Sequence, residues 1–152
     1  MSFSHSQGTR GARQPGGRLT KWMNRRIARR IRTREGKVMG MNALVLTTIG
    51  RKSGEERSTP VGWFPGDDDS WLVVASAAGA AKNPAWYLNL AAHPDRLTIE
   101  LAGKKIPVTA TELRGEERSS AWKSITTASP RFAQYEEKTD RELPVIRLSR
   151  RI

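Results

Sequence analysis

The segment TTIGRKSGEERSTPVGW, residues 47–63, sets a short charged turn between two runs rich in β-branched residues. Gly50 and Gly54 bracket the turn, and Arg51, Lys52 and Arg57 concentrate positive charge on and beside it. Strand-forming runs joined by a short glycine-containing connection are typical of a β-hairpin. The pattern predicts strands at 43–48 and 57–64. The charges could simply keep a hairpin tip solvated, or they could bind an anionic ligand.

The rest of the chain continues this β pattern with helices placed between strands. Further strands are predicted at 70–77, 96–102, 105–113 and 143–149, and helices at 18–34, 85–93, 115–127 and 130–138. Most strand connections have hairpin length, which disfavours a parallel sheet because parallel neighbours need crossover helices. We therefore expect a mainly β (α+β) fold: a small barrel of about six antiparallel strands with inserted helices.

The positive charge of the chain is concentrated near its N-terminus. The net charge is +12, yet residues 10–37 carry eleven Lys/Arg and a single acid, Glu35, which gives about +10 for that segment. Composition predicts a disordered basic tail over 1–17, an amphipathic basic helix over 18–36, and the barrel domain over 37–152.

The predicted basic helix has one apolar stripe among its arginines, formed by Leu19, Trp22, Met23, Ile27 and Ile31. Such a helix could lie on an anionic membrane surface with its stripe in the interface. It could equally pack the stripe on the barrel and leave the arginines in water. Both interpretations stay open from the sequence.

Several classes of function are disfavoured by composition. The chain has no cysteine, and its two histidines, His5 and His93, fit neither a metal site nor a catalytic triad. The turn GRKSG does not match the phosphate loop of nucleotide hydrolases. With no signal peptide and no apolar run long enough to span a bilayer, a cytoplasmic location is expected, with peripheral contact at the inner face of the cell membrane as the alternative.

A second candidate site is ASAAGAAKNPAWYLNL, residues 75–90. Its small residues would let a flat ligand lie against the backbone, and Asn83-Pro84 predicts a helix start with Asn83 as the N-cap. The alternative is an ordinary loop and cap, with Trp86 and Leu90 in the core.

Taken together, these motifs resemble the deazaflavin-dependent nitroreductase family. The resemblance rests on GRKSG-x-x-R-x-T-P, on A-S-x-x-G-x-x-x-NPAWYLNL, and on the late Thr139-Asp140-Arg141, in this order over about residues 18–149. It implies a split β-barrel like that of FMN-binding proteins, and coenzyme F420 (8-hydroxy-5-deazaflavin) as the cofactor.

By the same resemblance, the turn holds the phosphate and glutamate-rich tail of the cofactor, through Arg51, Lys52, Ser53 and Arg57. The deazaflavin would be lined by residues of two strands and covered by the start of a helix: Ser58, Thr59, Pro60, Val61 and Gly62; Val74, Ala75, Ser76 and Ala77; and Ala85, Trp86, Tyr87, Leu88 and Asn89.

The reaction implied is hydride transfer from reduced F420 to a small electron acceptor, a quinone or a nitroaromatic. Relatives in this family can carry several tyrosines near the acceptor. Here Tyr135 is retained as the candidate catalytic residue, while Ser129 and Phe132 stand where tyrosines can occur and are candidate substrate contacts. One position that can be lysine in the family is Ala77.

Two other functions compete with this hypothesis. The fold could serve an FMN-binding split-barrel oxidoreductase, or the basic arm could make the chain a non-catalytic protein that binds anions or nucleic acid. No nucleic-acid partner is expected from the barrel motifs, because the cations are concentrated before residue 38.

Overall fold

One curled antiparallel sheet carries the candidate site. The computed structural model describes residues 3–12, 24–27, 29, 37–38 and 41–151. The strands are β1 (Lys37–Val38), β2 (Met41–Ile49), β3 (Glu56–Gly62), β4 (Phe64–Pro65), β5 (Trp71–Val74), β6 (Leu97–Leu101), β7 (Lys104–Glu112) and β8 (Val145–Arg150). The helices are α1 (Ala85–Ala92), α2 (Gly115–Ala128) and α3 (Arg131–Lys138), with short 3-10 turns at Asp67–Asp69 and Ala77–Gly79.

The strand order follows β2, β6, β7, β8, β5 and β4, and every neighbouring pair is antiparallel. Strand β3 pairs with the other edge of β2, from Ala43 opposite Gly62 to Ile49 opposite Glu56. The two ends of this path, β3 and β4, are separated along the chain only by Trp63. The sheet therefore curls back on itself, which confirms the mainly β, split-barrel prediction.

Several strands are buried on both faces, which explains their continuous apolar sequence. In β5, Trp71 and Val73 face the barrel interior with Tyr87 and Leu90 of α1. The alternate residues Leu72 and Val74 pack outward in a second cluster that includes Ile125 of α2 and Phe132 of α3. The inserted helices thus cover faces of the sheet that would otherwise meet water.

The predicted strand 57–64 is interrupted. It appears as β3 and the two-residue β4, with Trp63 between them. The backbone N–H of Trp63 donates to the carbonyl of Asn42 (3.0 Å), which holds the chain to β2 while it turns toward β5. This break and the short β1 account for eight strands where about six are expected.

The segment 3–12, predicted as part of a disordered tail, lies against the barrel. The Gly8 and Ala12 N–H groups donate to the carbonyls of Ala81 (2.8 Å) and Gly79 (2.9 Å). Asp140 accepts from the N–H of Thr9 (2.7 Å) and from its hydroxyl (2.5 Å). We refer to residues 3–12 as the N-terminal strap. The division into tail, helix and barrel stays a prediction, because most of 13–36 lies outside the described residues.

The predicted N-terminal helix is described at residues 24–27 and 29, all helical. Ile27 packs on Ala43 and Val45, on the outer face of β2, while Arg25, Arg26 and Arg29 are exposed. Of the predicted stripe, Leu19, Trp22, Met23 and Ile31 lie outside the described residues. Within the described part of the chain, no helix has the length and apolar character needed to cross a membrane.

Candidate functional site

The hairpin turn between β2 and β3 is tightly closed. The Gly50 N–H donates to the Glu55 carbonyl (2.7 Å), and the Gly54 N–H donates back to the Gly50 carbonyl (2.8 Å). Gly54 has φ +74°, a conformation that glycine adopts without strain. The Ser53 hydroxyl accepts from the Glu55 N–H (3.2 Å), and a Cβ at Gly50 would lie only 2.6 Å from it. The turn is thus a fixed platform for its cations.

Each of these cations is exposed, but they differ in what they contact. Arg51 donates from its backbone N–H and from Nη1 to Oδ1 of Asn89 (both 3.1 Å), which ties the turn to α1. Arg57 lies 3.7 Å from the Glu55 carboxylate, a loose surface ion pair that contributes little stability. Lys52 is exposed at the tip. Cations held this way remain accessible to an anionic ligand.

A cleft of about 270 Å³ opens further along β3. It is lined by residues from the N-terminal helix, from β2 and β3, from the loop after β5, and from α3: Asn24, Ile27, Ala43, Pro60, Val61, Gly62, Ser76, Ala78, Arg131, Phe132 and Tyr135. The cleft is thus built from segments far apart in the sequence, and four of its residues, Pro60 to Gly62 and Ser76, are predicted cofactor contacts.

Alternation along β3 separates the outer face from the core. Val61 packs toward the barrel core, opposite Leu44. The cross-strand pair Ala43 and Gly62 belongs to the other face of β2 and β3, where Ile27 packs. Small side chains on that face leave room for a flat ligand.

One wall of the cleft is the first turn of α3. The Phe132 ring is buried and meets the rings of Phe64 and Tyr135 edge to face, each at 5.5 Å between centroids. Tyr135 is half-buried, and its hydroxyl makes no hydrogen bond within the described part of the chain. Ser129, the C-cap residue of α2, is half-buried and does not line the cleft. Arg131, also half-buried, brings a permanent positive charge to this wall.

The other predicted cofactor contacts lie elsewhere. Val74 and Ala75 are buried, and the Ala75 N–H donates to the Pro144 carbonyl (2.9 Å). Ser58 bonds Thr47 through their hydroxyls (2.9 Å). None of these residues lines the cleft, and the same holds for Thr59, Ala77 and the five predicted positions of α1, Ala85, Trp86, Tyr87, Leu88 and Asn89. Their proposed roles stay predictions.

Tyr87 is a core residue with a polar partner. Its hydroxyl donates to Oε1 of the buried Glu112 (2.5 Å) and accepts from the His5 N–H (3.2 Å). Burial, followed by the hydrogen bond to Glu112, raises the pKa of the Tyr87 hydroxyl above its usual value. The pair therefore fastens α1 to β7 with the tyrosine protonated.

The loop after β5 is organised by Arg141, which is 2% exposed. Its guanidinium donates to the carbonyls of Ala75 (3.0 Å), Ser76 (2.9 Å) and Ala80 (3.0 Å), and to Oδ1 of Asn83 (2.5 Å). Burial lowers the pKa of Arg141, which nonetheless stays charged at neutral pH because an arginine titrates so high.

The predicted capping role of Asn83 is wrong. Pro84 is the N-cap of α1, and no side chain caps the helix. The Asn83 side chain is occupied by Arg141 and by the Ser6 carbonyl, to which its Nδ2 donates (2.8 Å). The Asn83 side chain therefore bonds residues distant in the sequence instead of capping the helix that follows it.

Comparison with known proteins places these features in a family. Residues 18–149 match the model of the F420H(2)-dependent quinone reductase family. The chain is 34% identical to the F420H(2)-dependent quinone reductase Rv1261c of Mycobacterium tuberculosis, over 72% of this chain and 74% of that protein.

Solved structures give the same picture of the fold. An F420-H2-dependent reductase (FDR-A) superposes with a TM-score of 0.63 at 38% identity, covering 70% of this chain and 93% of that one. A heme-binding protein from Mycobacterium smegmatis has a TM-score of 0.55 at 17% identity, covering 73% of this chain and 47% of that one. At that identity, only the fold is shared.

Proposed function

Because the chain belongs to the F420H(2)-dependent quinone reductase family, an oxidoreductase family with coenzyme F420 as its cofactor, we propose that it reduces a quinone with reduced F420 by hydride transfer. The observation that carries the proposal is the cleft, where three predicted site elements meet. These are Pro60–Gly62 of β3, Ser76 after β5, and Phe132 with Tyr135 on α3.

The chemistry of the residues fits this cofactor. A flat tricyclic ring suits a cleft whose lining on β2 and β3 is Ala43, Pro60, Val61 and Gly62. The anionic tail suits the exposed Lys52 and Arg57 at the other end of β3. Gly62 follows Arg57 by five positions along the strand, a span of roughly 16 Å at about 3.3 Å per residue. A ligand with a ring at one end and charge at the other can follow this strand.

When bound, the reduced deazaflavin supplies a hydride from C5, and that hydride with one proton converts a quinone to a hydroquinone. Phe132 and Pro60 would exclude water and hold the acceptor ring flat against the cofactor face. The Tyr135 hydroxyl, which makes no hydrogen bond to another described residue, would donate one to the quinone oxygen on which negative charge develops.

Arg131 would support the same charge without transferring a proton. Arg131 lines the cleft one helical turn from Tyr135 and brings a positively charged guanidinium to that wall. A cation close to a developing oxyanion lowers the barrier in proportion to the charge formed. We assign Arg131 this electrostatic role, which the sequence alone does not suggest.

A nitroaromatic is the second acceptor class we propose for the same hydride. Since Phe132 and Ser129 stand where the resemblance allows tyrosines, Tyr135 is the phenol available at the described cleft. We therefore expect nitroaromatic reduction to be slower than quinone reduction.

Peripheral contact with an anionic membrane surface is also a proposal. It is supported by the exposure of Arg25, Arg26 and Arg29, whereas Ile27 of the predicted stripe packs on the barrel instead. Flotation with vesicles of anionic and of neutral lipid tests it. Binding to the anionic vesicles, weakened by salt, is expected, and equal binding to neutral vesicles would contradict it.

The reaction is tested by mixing the protein with reduced F420 and a soluble menaquinone analogue, and by following recovery of the oxidised cofactor's absorbance. We expect turnover with this quinone, and a slower step when C5 carries deuterium. A folded protein that binds the cofactor but leaves the rate at that of buffer would refute catalysis and leave only a carrier role.

A further inference from the structure

The loop between β5 and α1 holds three consecutive residues in the left-handed backbone region. Ala77, Ala78 and Gly79 have φ of 47°, 55° and 85°. Alanine rarely adopts this conformation, and it persists only where the surroundings enforce it. Ala78 lines the cleft. A strained segment therefore forms part of the proposed cofactor site.

The contacts of Arg141 bracket that strained segment. Ala75 and Ser76 accept from the guanidinium on one side of it, and Ala80 and Asn83 accept on the other. All four acceptors are neutral oxygens. Among the described residues, no carboxylate pairs with this guanidinium. A buried cation paired only with neutral oxygens contributes poorly to stability as a charge, so its role lies in its directed hydrogen bonds.

The N-terminal strap closes the loop from the outside. Gly8 and Ala12 donate to the loop carbonyls of Ala81 and Gly79. Gly11 approaches so closely that a Cβ there would lie 2.4 Å from the Ala81 nitrogen. The residues next to Arg141 hold the strap in turn, since Asp140 accepts from Thr9 and Thr139 donates to the Arg10 carbonyl (2.7 Å).

The loop also rests on the helix that carries Tyr135. At Gly79, a Cβ would lie 2.8 Å from the Tyr135 carbonyl oxygen and 3.0 Å from Cβ of Lys138. The position of the loop therefore sets the separation between two walls of the cleft, one bearing Ser76 and Ala78 and the other Tyr135.

From these contacts we propose that Arg141 is a positioning residue, which with the N-terminal strap clamps the loop 75–83 in its strained shape and so preforms the cofactor cleft. The effect on F420 binding rests on the proposed function, but the clamp itself is a property of the free protein and can be measured without the cofactor. Preforming a site lowers the ordering cost of binding, so loosening the clamp should weaken cofactor affinity.

The test compares Arg141→Gln and Arg141→Lys with Arg118→Gln. Arg118 is the matched control, since it is a partly buried arginine that donates to a backbone carbonyl, that of Leu143 (2.8 Å), outside the loop. We expect Arg141→Gln to raise the dissociation constant of oxidised F420 at least tenfold, Arg141→Lys to recover part of that loss, and Arg118→Gln to match the wild type.

Titration stoichiometry separates positioning from folding. If Arg141 serves only stability, the folded molecules of the variant bind with the wild-type dissociation constant and only the number of sites falls. That result would overturn the proposal, as would a Lys variant no better than Gln.

The strap is tested without touching Arg141. Gly11→Ala should displace the strap, because the new methyl group meets the Ala80 and Ala81 backbone. Gln7→Ala, at an exposed position of the same segment, is its control. We expect Gly11→Ala to weaken F420 binding several-fold, and Gln7→Ala to leave it unchanged.

Hydrogen exchange of the free protein gives a readout that needs no cofactor. Amides of residues 78–83 should exchange faster in Arg141→Gln and Gly11→Ala than in the two controls. Unchanged exchange would refute the clamp. If the wild type does not bind F420 and the two variants still exchange faster than the controls, the clamp is upheld and the proposed function is refuted.

Discussion

Ala43 of β2 and Gly62 of β3 are direct cross-strand partners, and both line the cleft. Small residues thus face each other where the proposed deazaflavin ring needs space. Since side chains at paired positions lie about 5 Å apart, a larger residue at either position would enter the cleft.

Gly62→Val tests this directly. Valine suits a β-strand, so we expect little change in thermal stability but at least a tenfold rise in the dissociation constant of F420. Ser149→Val adds a similar side chain to β8, away from the cleft, and should leave affinity unchanged. Equal affinity of the Gly62 variant and the wild type would show that the ring binds elsewhere.

The cationic turn should act on the cofactor tail. In the double variant Lys52→Ala/Arg57→Ala, we expect F420 affinity to fall about tenfold or more at low salt, and the deficit to shrink as salt screens the charges. The matched control is Lys104→Ala/Lys105→Ala, which removes the same charge from the β6–β7 hairpin. If both double variants lose affinity equally, net charge and not the turn attracts the cofactor.

The Tyr135 hydroxyl is expected to act on the acceptor. Because that hydroxyl has no partner in the described structure, Tyr135→Phe should leave thermal stability and F420 affinity unchanged while slowing quinone reduction roughly tenfold. Stopped-flow oxidation of reduced F420 measures this step. An unchanged rate would remove Tyr135 from the mechanism.

Arg131 should contribute through charge alone. We expect Arg131→Gln to lower the rate of quinone reduction about tenfold, and Arg131→Lys to retain more activity. Cofactor affinity measured by fluorescence should change less than the rate does. A variant that loses affinity for F420 but reacts at the normal rate when saturated would instead assign Arg131 to cofactor binding.

The Tyr87–Glu112 bond should matter for stability and not for chemistry. Tyr87→Phe leaves Glu112 buried with fewer hydrogen bonds, so we expect a loss of about 1–3 kcal/mol in the free energy of unfolding. Denaturant unfolding measures it, and F420 affinity serves as the contrasting readout. A destabilised variant with unaltered affinity agrees with the structure, whereas a stable variant with weakened affinity would assign Tyr87 to the cofactor site, either by contact or through its hydrogen bond from His5 of the strap.

The same pair predicts a dependence on alkaline pH. Because the pKa of Tyr87 is raised in the folded protein, its contribution to stability is complete below the unfolded-state value of about 10. It is lost as the pH rises from there through the folded pKa. The Phe variant should lack this component of the alkaline decline.

The strands and the hairpin follow from local sequence. β-branched runs on either side of the turn predict β2 and β3, and the glycines of the turn predict its tight closure. The interruption at Trp63 could not be predicted this way, because it depends on where the sheet curls and on a hydrogen bond to Asn42.

The cleft is less predictable than the strands because it is assembled from distant segments. Resemblance indicates Pro60–Gly62, Ser76, Phe132 and Tyr135, which the fold brings together. Arg131 carries no local signal of its own. The strap was missed for a similar reason, since its polar, glycine-rich sequence is typical of disorder, and only its partners on Asp140 and the loop give it a defined place.

The most direct measurement is a fluorescence titration of the purified protein with oxidised F420 and, separately, with FMN. We predict tight binding of F420 and none of FMN, since the cationic turn and the small-residue cleft match a deazaflavin with a long anionic tail. Binding of FMN without F420 would contradict the central claim and assign the cleft to a flavin.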